Sequence, residues 1–168
     1  NNKHHSARHN LGMIQLLCND YKEGLVNFEF RHNKLKGNTL HAKPKIKRWY
    51  GEEIKIGEKL LVISEQGLGD TIQFMRYIPK LKQENINVIF CAQEKLHNLI
   101  RFSGIDLNPI NTEQANKISE GKWIPLLSLL KYFKVNNKDS ICFEPYLKIN
   151  NKYFQKWKSI FSKEKKTV

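Results

Sequence analysis

An α/β fold, with a parallel sheet preceded by a helical hairpin, is predicted by three observations. The stretch Lys59 to Gln83, KLLVISEQGLGDTIQFMRYIPKLKQ, reads as strand, glycine turn and helix. Short apolar runs and helical patterns go on alternating after it, as repeated βα units do. Residues 1–33 are assigned to the hairpin, because residues 8 to 31 carry two helical stripes separated by Asn19-Asp20.

In that hairpin Leu11, Ile14 and Leu17/Cys18 form the first stripe, and Tyr21, Leu25 and Phe28 the second. Gly12 and Gly24 offer the small residues that let two helices pack closely, at the spacing of a tetratricopeptide repeat. A plain helical hairpin fits the same residues. One such unit cannot bury both its faces, so it leans on the next domain or closes an array. Residues 34–58 hold lysines, Pro44, Gly37, Gly51 and Gly57 with little periodicity and read as a basic linker. Trp49 and Tyr50 interrupt it, and packing of Trp49 against the domain is the simplest role for it.

The α/β domain is assigned to residues 59–150. Leu60 to Ile63 is a strand buried on both faces. Gly67 and Gly69 are expected to turn the backbone with φ > 0, and Asp70 to cap a helix with Ile72, Met75, Ile78 and Leu81 on its inner side. Asn87 to Ala92 is the next strand, and Gln93 to Ser103 a helix burying Leu96, Leu99, Ile100 and Phe102. An irregular strand is expected at Asp106 to Ile110, where Pro109 disfavours a regular one. A polar loop at Asn111 to Gly121 follows, then a short strand at Trp123-Ile124 and a helix from Leu126 to Phe133. A last strand is expected at Pro145 to Ile149. Residues 151–168 form a C-terminal helix, with Phe154, Trp157 and Phe161 on one face, and a basic tail. Repeated units of this length imply a Rossmann-like sheet.

The glycine turn lies at the carboxyl end of a strand and the amino end of a helix, the edge where ligands bind in open α/β sheets. It is not a dinucleotide fingerprint, because the third glycine position is Ile72, and no Gly-Lys-Ser/Thr of a P-loop occurs. The block EQGLGDTIQFMRYIP resembles the first strand-turn-helix of GT-B glycosyltransferases. Leu68, Gly69, Asp70 and Pro79 match the heptosyltransferase-like family. The full EQGLGDT-QF-RY wording is similar to bacterial tetratricopeptide-repeat proteins with a glycosyltransferase domain of the O-linked N-acetylglucosamine transferase-like kind. RWYGEE before the strand, PLLSL at Pro125 to Leu129 and EPYLKI at Glu144 to Ile149 extend the likeness over most of the chain. Two positions depart from it: Gly121 stands near where the family tends to place an acidic residue, and Leu130 where it has proline.

The resemblance implies an acceptor-side half of a glycosyltransferase, moving a hexose or heptose from a nucleotide-sugar co-substrate to a protein or glycan acceptor, without a metal or other cofactor. Asp70 is its implied catalytic base. Such chemistry needs a group that takes the acceptor's hydroxyl proton and groups that stabilise the departing diphosphate. Capping alone would also explain Asp70, since the helix dipole keeps an N-terminal aspartate ionised and weakly basic. Glu65, directly after the strand, is an alternative base. Gln66, Gly67 and Gly69 are expected to bind substrate, joined by Gln73, Arg76 and Tyr77 from the first turns of the helix. A second, donor-gripping domain is expected beyond Val168, as the chain reads as an excerpt of something longer. The alternative is a non-enzymatic interaction module that binds a protein partner through its helical hairpin and carries a relic of the transferase fold.

Composition narrows the classes further. The net charge is +13, but Lys outnumbers Arg 24 to 5 over the whole chain, a drift that argues against a nucleic-acid site. The Lys34–Arg48 and Lys152–Lys166 clusters read as solvated, or as contacts for phosphate, anionic lipid or an acidic partner. Cys18, Cys91 and Cys142 are distant from one another and in apolar surroundings, which predicts buried free thiols in a reducing, cytoplasmic setting. His5 and His9 have the spacing of a helical metal pair but no third ligand in view, so no metal is expected. No apolar run is long enough for a membrane span.

Overall fold

Helices α1 (His5–Leu17) and α2 (Tyr21–Phe28) form the hairpin, and a 3-10 turn (Glu29–Asn33) extends the second. The computed structural model describes residues 4–33, 40–135 and 144–163. Residues 34–39 of the expected linker, Cys142 and the tail 164–168 lie outside them. Asp20 caps α2 by accepting the Glu23 N–H, and Asn19 takes φ 63° between the helices. The helices touch most closely at Gly12, where a Cβ would lie 2.6 Å from the Phe28 nitrogen, so nothing larger than hydrogen fits there. The stripe expected to be buried on α1 is instead its outer face. Leu11, Ile14 and Leu17 are exposed, and so is Cys18, because α1 meets α2 through Gly12 and Leu16.

The sheet has four parallel strands in the order β1 (Lys47–Arg48), β4 (Lys122–Pro125), β2 (Lys59–Ile63), β3 (Asn87–Cys91). Strand β2 is central, with Leu61 opposite Ile89 on one side and Trp123 on the other. Its alternating side chains feed two cores, as the continuous apolar run predicts. Leu60 and Val62 pack with Trp49, Met75, Ile78, Leu81, Phe90, Ile100 and Leu25 of α2. Leu61 and Ile63 pack with Ala42, Cys91 and Ala115 on the opposite face. The sheet therefore has a layer on each face, and the hairpin shares the larger core.

Several expectations change. The basic linker supplies an edge strand: β1 pairs with β4, Trp49 N–H donates to Trp123 O at 2.7 Å, and Trp49 is 2 % exposed. The single helix after the glycine turn is α3 (Leu68–Phe74), a 3-10 turn through Tyr77, then α4 (Ile78–Gln83). Pro79 explains the break, since it has no N–H for the Met75 carbonyl and its ring crowds that group. The helix after β3 is a 3-10 turn followed by α5 (His97–Phe102), with Ile100 buried but Phe102 exposed. Asp106 to Ile110 provides only one bridge, Ile110 to Cys91.

The expected loop after it contains α6 (Thr112–Asn116), closed by a reciprocal cap between Asn111 and Gln114, with both bonds at 3.0 Å. Gly121, at φ +95°, leads into β4, and a Cβ there would stand 2.3 Å from the Lys59 carbonyl oxygen. A 3-10 turn at Leu126–Ser128 leads into α7 (Leu129–Tyr132). Pro145 to Ile149 is not a strand; it is held by the Tyr146 hydroxyl donating to the Ile72 carbonyl and by Lys148 N–H on Ser103 Oγ at 3.0 Å. Helix α8 spans Asn151–Lys163.

Candidate functional site

Strand order makes the carboxyl edge asymmetric. After β2 the chain moves to one side for β3, then crosses to the other for β4, so the connections diverge between β2 and β4. Such a switch point opens a crevice at the strand ends, where ligands of open α/β sheets bind. In this chain the crevice is filled from within. Glu65, two residues past β2, is 2 % exposed, and both its carboxylate oxygens are taken. Arg31 of the hairpin donates from Nε to Oε2 and from Nη2 to Oε1, each at 2.9 Å. The Leu127 N–H past β4 also donates to Oε1, at 3.1 Å.

The network extends outward from this pair. Arg31 Nη1 donates to Glu29 Oε1 at 2.7 Å and Nη2 to Ser128 Oγ at 2.9 Å, while the Ser128 hydroxyl donates to Glu29 at 2.8 Å. Arg48 Nη2 holds the other Glu29 oxygen at 2.6 Å. Burial pushes the Glu29 carboxyl up, but Arg31, Ser128 and Arg48 together outweigh it and leave its pKa lowered. Burial likewise works against the Arg31 charge, and its bonds to Glu65 and Glu29 overcome that and raise its pKa. His32 lies 4.0 Å from Glu65 Oε2; burial, aided by the Arg31 charge, pulls its pKa down to about 4, so the ring is neutral. Glu65 is thus an ion-pair partner that fastens the hairpin to the sheet. A general base needs an oxygen within reach of a substrate proton, and Glu65 has none to offer.

On the β2–β3 side the same edge is open. A cleft of about 900 Å³ is lined by His41, Gln66, Gly67, Gln93, Asn111 and Glu113 among others. The turn that forms one wall bends at Gln66, whose φ is 64°. The glycines do not supply the bend: Gly67 has φ −83°, and Gly69 lies within α3 with nothing within 4 Å of an added Cβ. The N-cap is Gly67, not Asp70. Asp70 stands three residues on and returns Oδ2 to the Gly67 N–H at 2.9 Å, the acidic half of a capping box. Its carboxylate is half-buried, and Oδ1 has no hydrogen bond among the described residues. The opposite wall is pre-oriented. Thr71 Oγ1 donates to Gln93 Oε1 at 2.8 Å, Gln93 Nε2 to the Gly67 carbonyl at 3.3 Å, and Asn111 Nδ2 to Glu94 at 2.9 Å.

The structure separates residues that the sequence groups together. Gln66 and Gly67 line the open cleft, whereas Gly69 and Asp70, in the first turn of α3, stand next to that wall and are not among the described residues that line it. Gln73, Arg76 and Tyr77 face away from it and line an apolar cavity of about 310 Å³ with Leu16, Tyr21 and Leu25 of the hairpin. Arg76 stacks over the Tyr146 ring at 4.6 Å, and Tyr77, 2 % exposed, stacks on Phe133. At i, i+3 and i+4, Gln73 of α3 and Arg76 and Tyr77 of the 3-10 turn after it share one face, the face that meets the hairpin. Sequence reasoning missed Arg31, which meets Glu65 across 34 positions. It also missed Gln93, Asn111 and Gln114, although the Asn-Thr-Glu-Gln spacing of a capping box was legible.

The other candidates are quiet. His5 and His9 stack on Phe30 and Phe28 at 5.7 and 5.5 Å. No group of three or more His, Cys, Asp or Glu that could hold a metal occurs among the described residues. Burial pushes the Cys91 thiol up to about 12, so it is protonated and unreactive. No described helix is long and apolar enough to cross a membrane. No protein-family model, no curated protein and no solved structure matches this chain.

Proposed function

We propose that this chain is the acceptor-side half of a GT-B glycosyltransferase, a Rossmann-like domain preceded by a tetratricopeptide-like hairpin. One observation carries the reading. The EQGLGDT block, on which the resemblance rests, runs from the carboxyl end of the central parallel strand into α3, beside the open cleft. The cleft lining is rich in oriented amides and carboxylates, which suits a ligand dense in hydroxyl groups. Asp70 is the base in this proposal. Its free Oδ1 takes the acceptor's hydroxyl proton, the acceptor oxygen bonds to the anomeric carbon, and the bond to the nucleoside diphosphate breaks with its electron pair leaving on phosphate oxygen. The donor is a nucleotide sugar gripped by a second domain, the acceptor is a protein or glycan, and no metal takes part.

The test is saturation-transfer NMR of the chain with saccharide and peptide acceptors, with nucleotide release followed in parallel. Acceptor binding that is lost in Gln93→Ala, with no steady turnover, is expected. The absence of turnover follows from catalysis between two domains, since losing the orientation of the reactants alone removes as much as about 7–11 kcal/mol. Steady turnover abolished by Asp70→Asn would mean the site is complete within this chain. Failure of every acceptor to bind would contradict the reading.

A second reading, a non-enzymatic interaction module, is favoured by the filled crevice: the Arg31–Glu65 pair occupies the place where a ligand of such sheets binds. A protein partner captured equally by wild type and Asp70→Asn would support it.

A further inference from the structure

Helix α8 carries an uncovered apolar face organised on a single element. Every residue from Asn151 to Ser162 is exposed except Ile160, which is half-buried. Tyr153, Phe154, Trp157 and Phe161 are exposed by 50–66 %, with the Trp157 and Phe161 rings stacked at 5.8 Å. At the helical repeat these four and Ile160 fall in one arc of about 120°. The rest of the circumference is polar, and Lys156 and Lys158 border the apolar arc, one on each side. No acidic residue occurs from Asn151 to Lys163. The segment leading into the helix is anchored by Lys148 on Ser103, while Leu147 and Ile149 beside it continue the exposed apolar surface.

A thirteen-residue helix with almost no tertiary packing is marginal in water. We infer that α8 is an interfacial helix that lies on an anionic lipid bilayer, its aromatic arc among the headgroups and acyl boundary and its lysines against lipid phosphate. Two features select a bilayer. The arc is aromatic with a single aliphatic residue, and Trp and Tyr rings are at home at the headgroup level. Its borders are lysines with no counter-charge on the helix, in a chain of net charge +13, which complements an anionic surface. The inference does not depend on the transferase reading, because α8 contributes no residue to the open cleft.

The experiment is co-sedimentation of the 168-residue chain with mixed phosphatidylcholine–phosphatidylglycerol vesicles and with pure phosphatidylcholine vesicles, accompanied by tryptophan emission. Trp49 is buried, Trp123 half-buried in β4 and Trp157 exposed, so a blue shift on vesicle addition that disappears in a variant carrying Trp157→Ser reports α8. Binding to the anionic vesicles at least about tenfold tighter than to neutral ones is expected, weakening as salt rises. The double variants Trp157→Ser/Phe161→Ser and Lys156→Glu/Lys158→Glu change only exposed side chains; both are expected to keep the circular dichroism of the body and to lose sedimentation. Three results would overturn the inference. One is no binding to either vesicle. Another is binding retained in the aromatic double variant, which would assign it to lysines elsewhere. The third is a wild-type dimer that the same variant dissociates, which would give the face to a second copy of the chain.

Discussion

The two halves of the sheet's carboxyl edge are built from adjacent residues and end differently. Between β2 and β4 the edge is ionic and buried at its centre: Glu65, Arg31, Glu29 and Ser128 satisfy one another, and the hairpin is fastened there. Between β2 and β3 it is open and polar, with Gly67 and Gln93 facing about 900 Å³ of accessible space. Glu65 and Gly67 are two positions apart, yet the left-handed turn at Gln66 sends one into a buried pair and the other to the cleft wall. The closed half supplies attachment and the open half supplies a place for a ligand. A carboxylate at the ligand edge is therefore not a candidate base by position alone; what its oxygens already hold decides it.

Mutations that strip the closed half should cost most. Arg31→Met leaves Glu65 buried without its counter-charge, and a loss of about 3–5 kcal/mol is expected in urea melts. In the open half, Gln93→Ala should cost only about 0.5–1.5 kcal/mol, because the exposed Gly67 carbonyl reaches water and the buried Thr71 hydroxyl keeps that carbonyl as a partner at 3.4 Å. Equal costs would erase the distinction between the halves.

Acid should also act on the closed half. The His32 pKa is lowered from 6.5 to about 4, so between those values the unfolded chain takes up a proton that the folded chain refuses. Stability then falls as pH drops through that window, by as much as about 3 kcal/mol. Glu29, lowered below 4.5, adds loss in the same direction at lower pH, as its contribution is present above the unfolded value and disappears as the folded group protonates. Urea midpoints between neutral pH and pH 4 check this, and His32→Phe should flatten the upper part of the slope.

Two smaller effects sharpen the account of the open turn. Asp70→Ala removes the bond to the Gly67 N–H and is expected to cost about 0.5–1.5 kcal/mol. Gly69→Ala, in a helical turn with open space around it, should be neutral or stabilise by up to about 1 kcal/mol. A clear loss in Gly69→Ala would restore the glycine to the strained role its spacing suggests.

What was legible in the sequence is local. The apolar run of β2, the hairpin break at Asn19-Asp20, the strand at Asn87 and the edge on which the glycine turn sits follow from periodicity and turn chemistry within a few residues. What was not legible depends on partners far apart in the chain. Lys47-Arg48 became an edge strand only because β4 offered it a free edge, 75 positions away in the Lys47–Lys122 register. Glu65 reads as an exposed loop carboxylate until Arg31 arrives. The Leu11–Ile14–Leu17 stripe has helical spacing, but Gly12 allows so close an approach to α2 that the neighbouring face is the one that packs. Pro145 to Ile149 has strand composition, but it is drawn across the helices by Tyr146 and Lys148.

The claim that Arg31 and Glu65 close one half of the edge and fasten the hairpin is tested most directly by a double-mutant cycle. Wild type, Arg31→Met, Glu65→Leu and the double variant are unfolded in urea at neutral pH. The double variant should cost at least about 2 kcal/mol less than the sum of the single variants, because each single change strands a buried charge and the pair of changes strands none. Costs that add to within about 0.5 kcal/mol would contradict the pairing and return Glu65 to the candidates for chemistry.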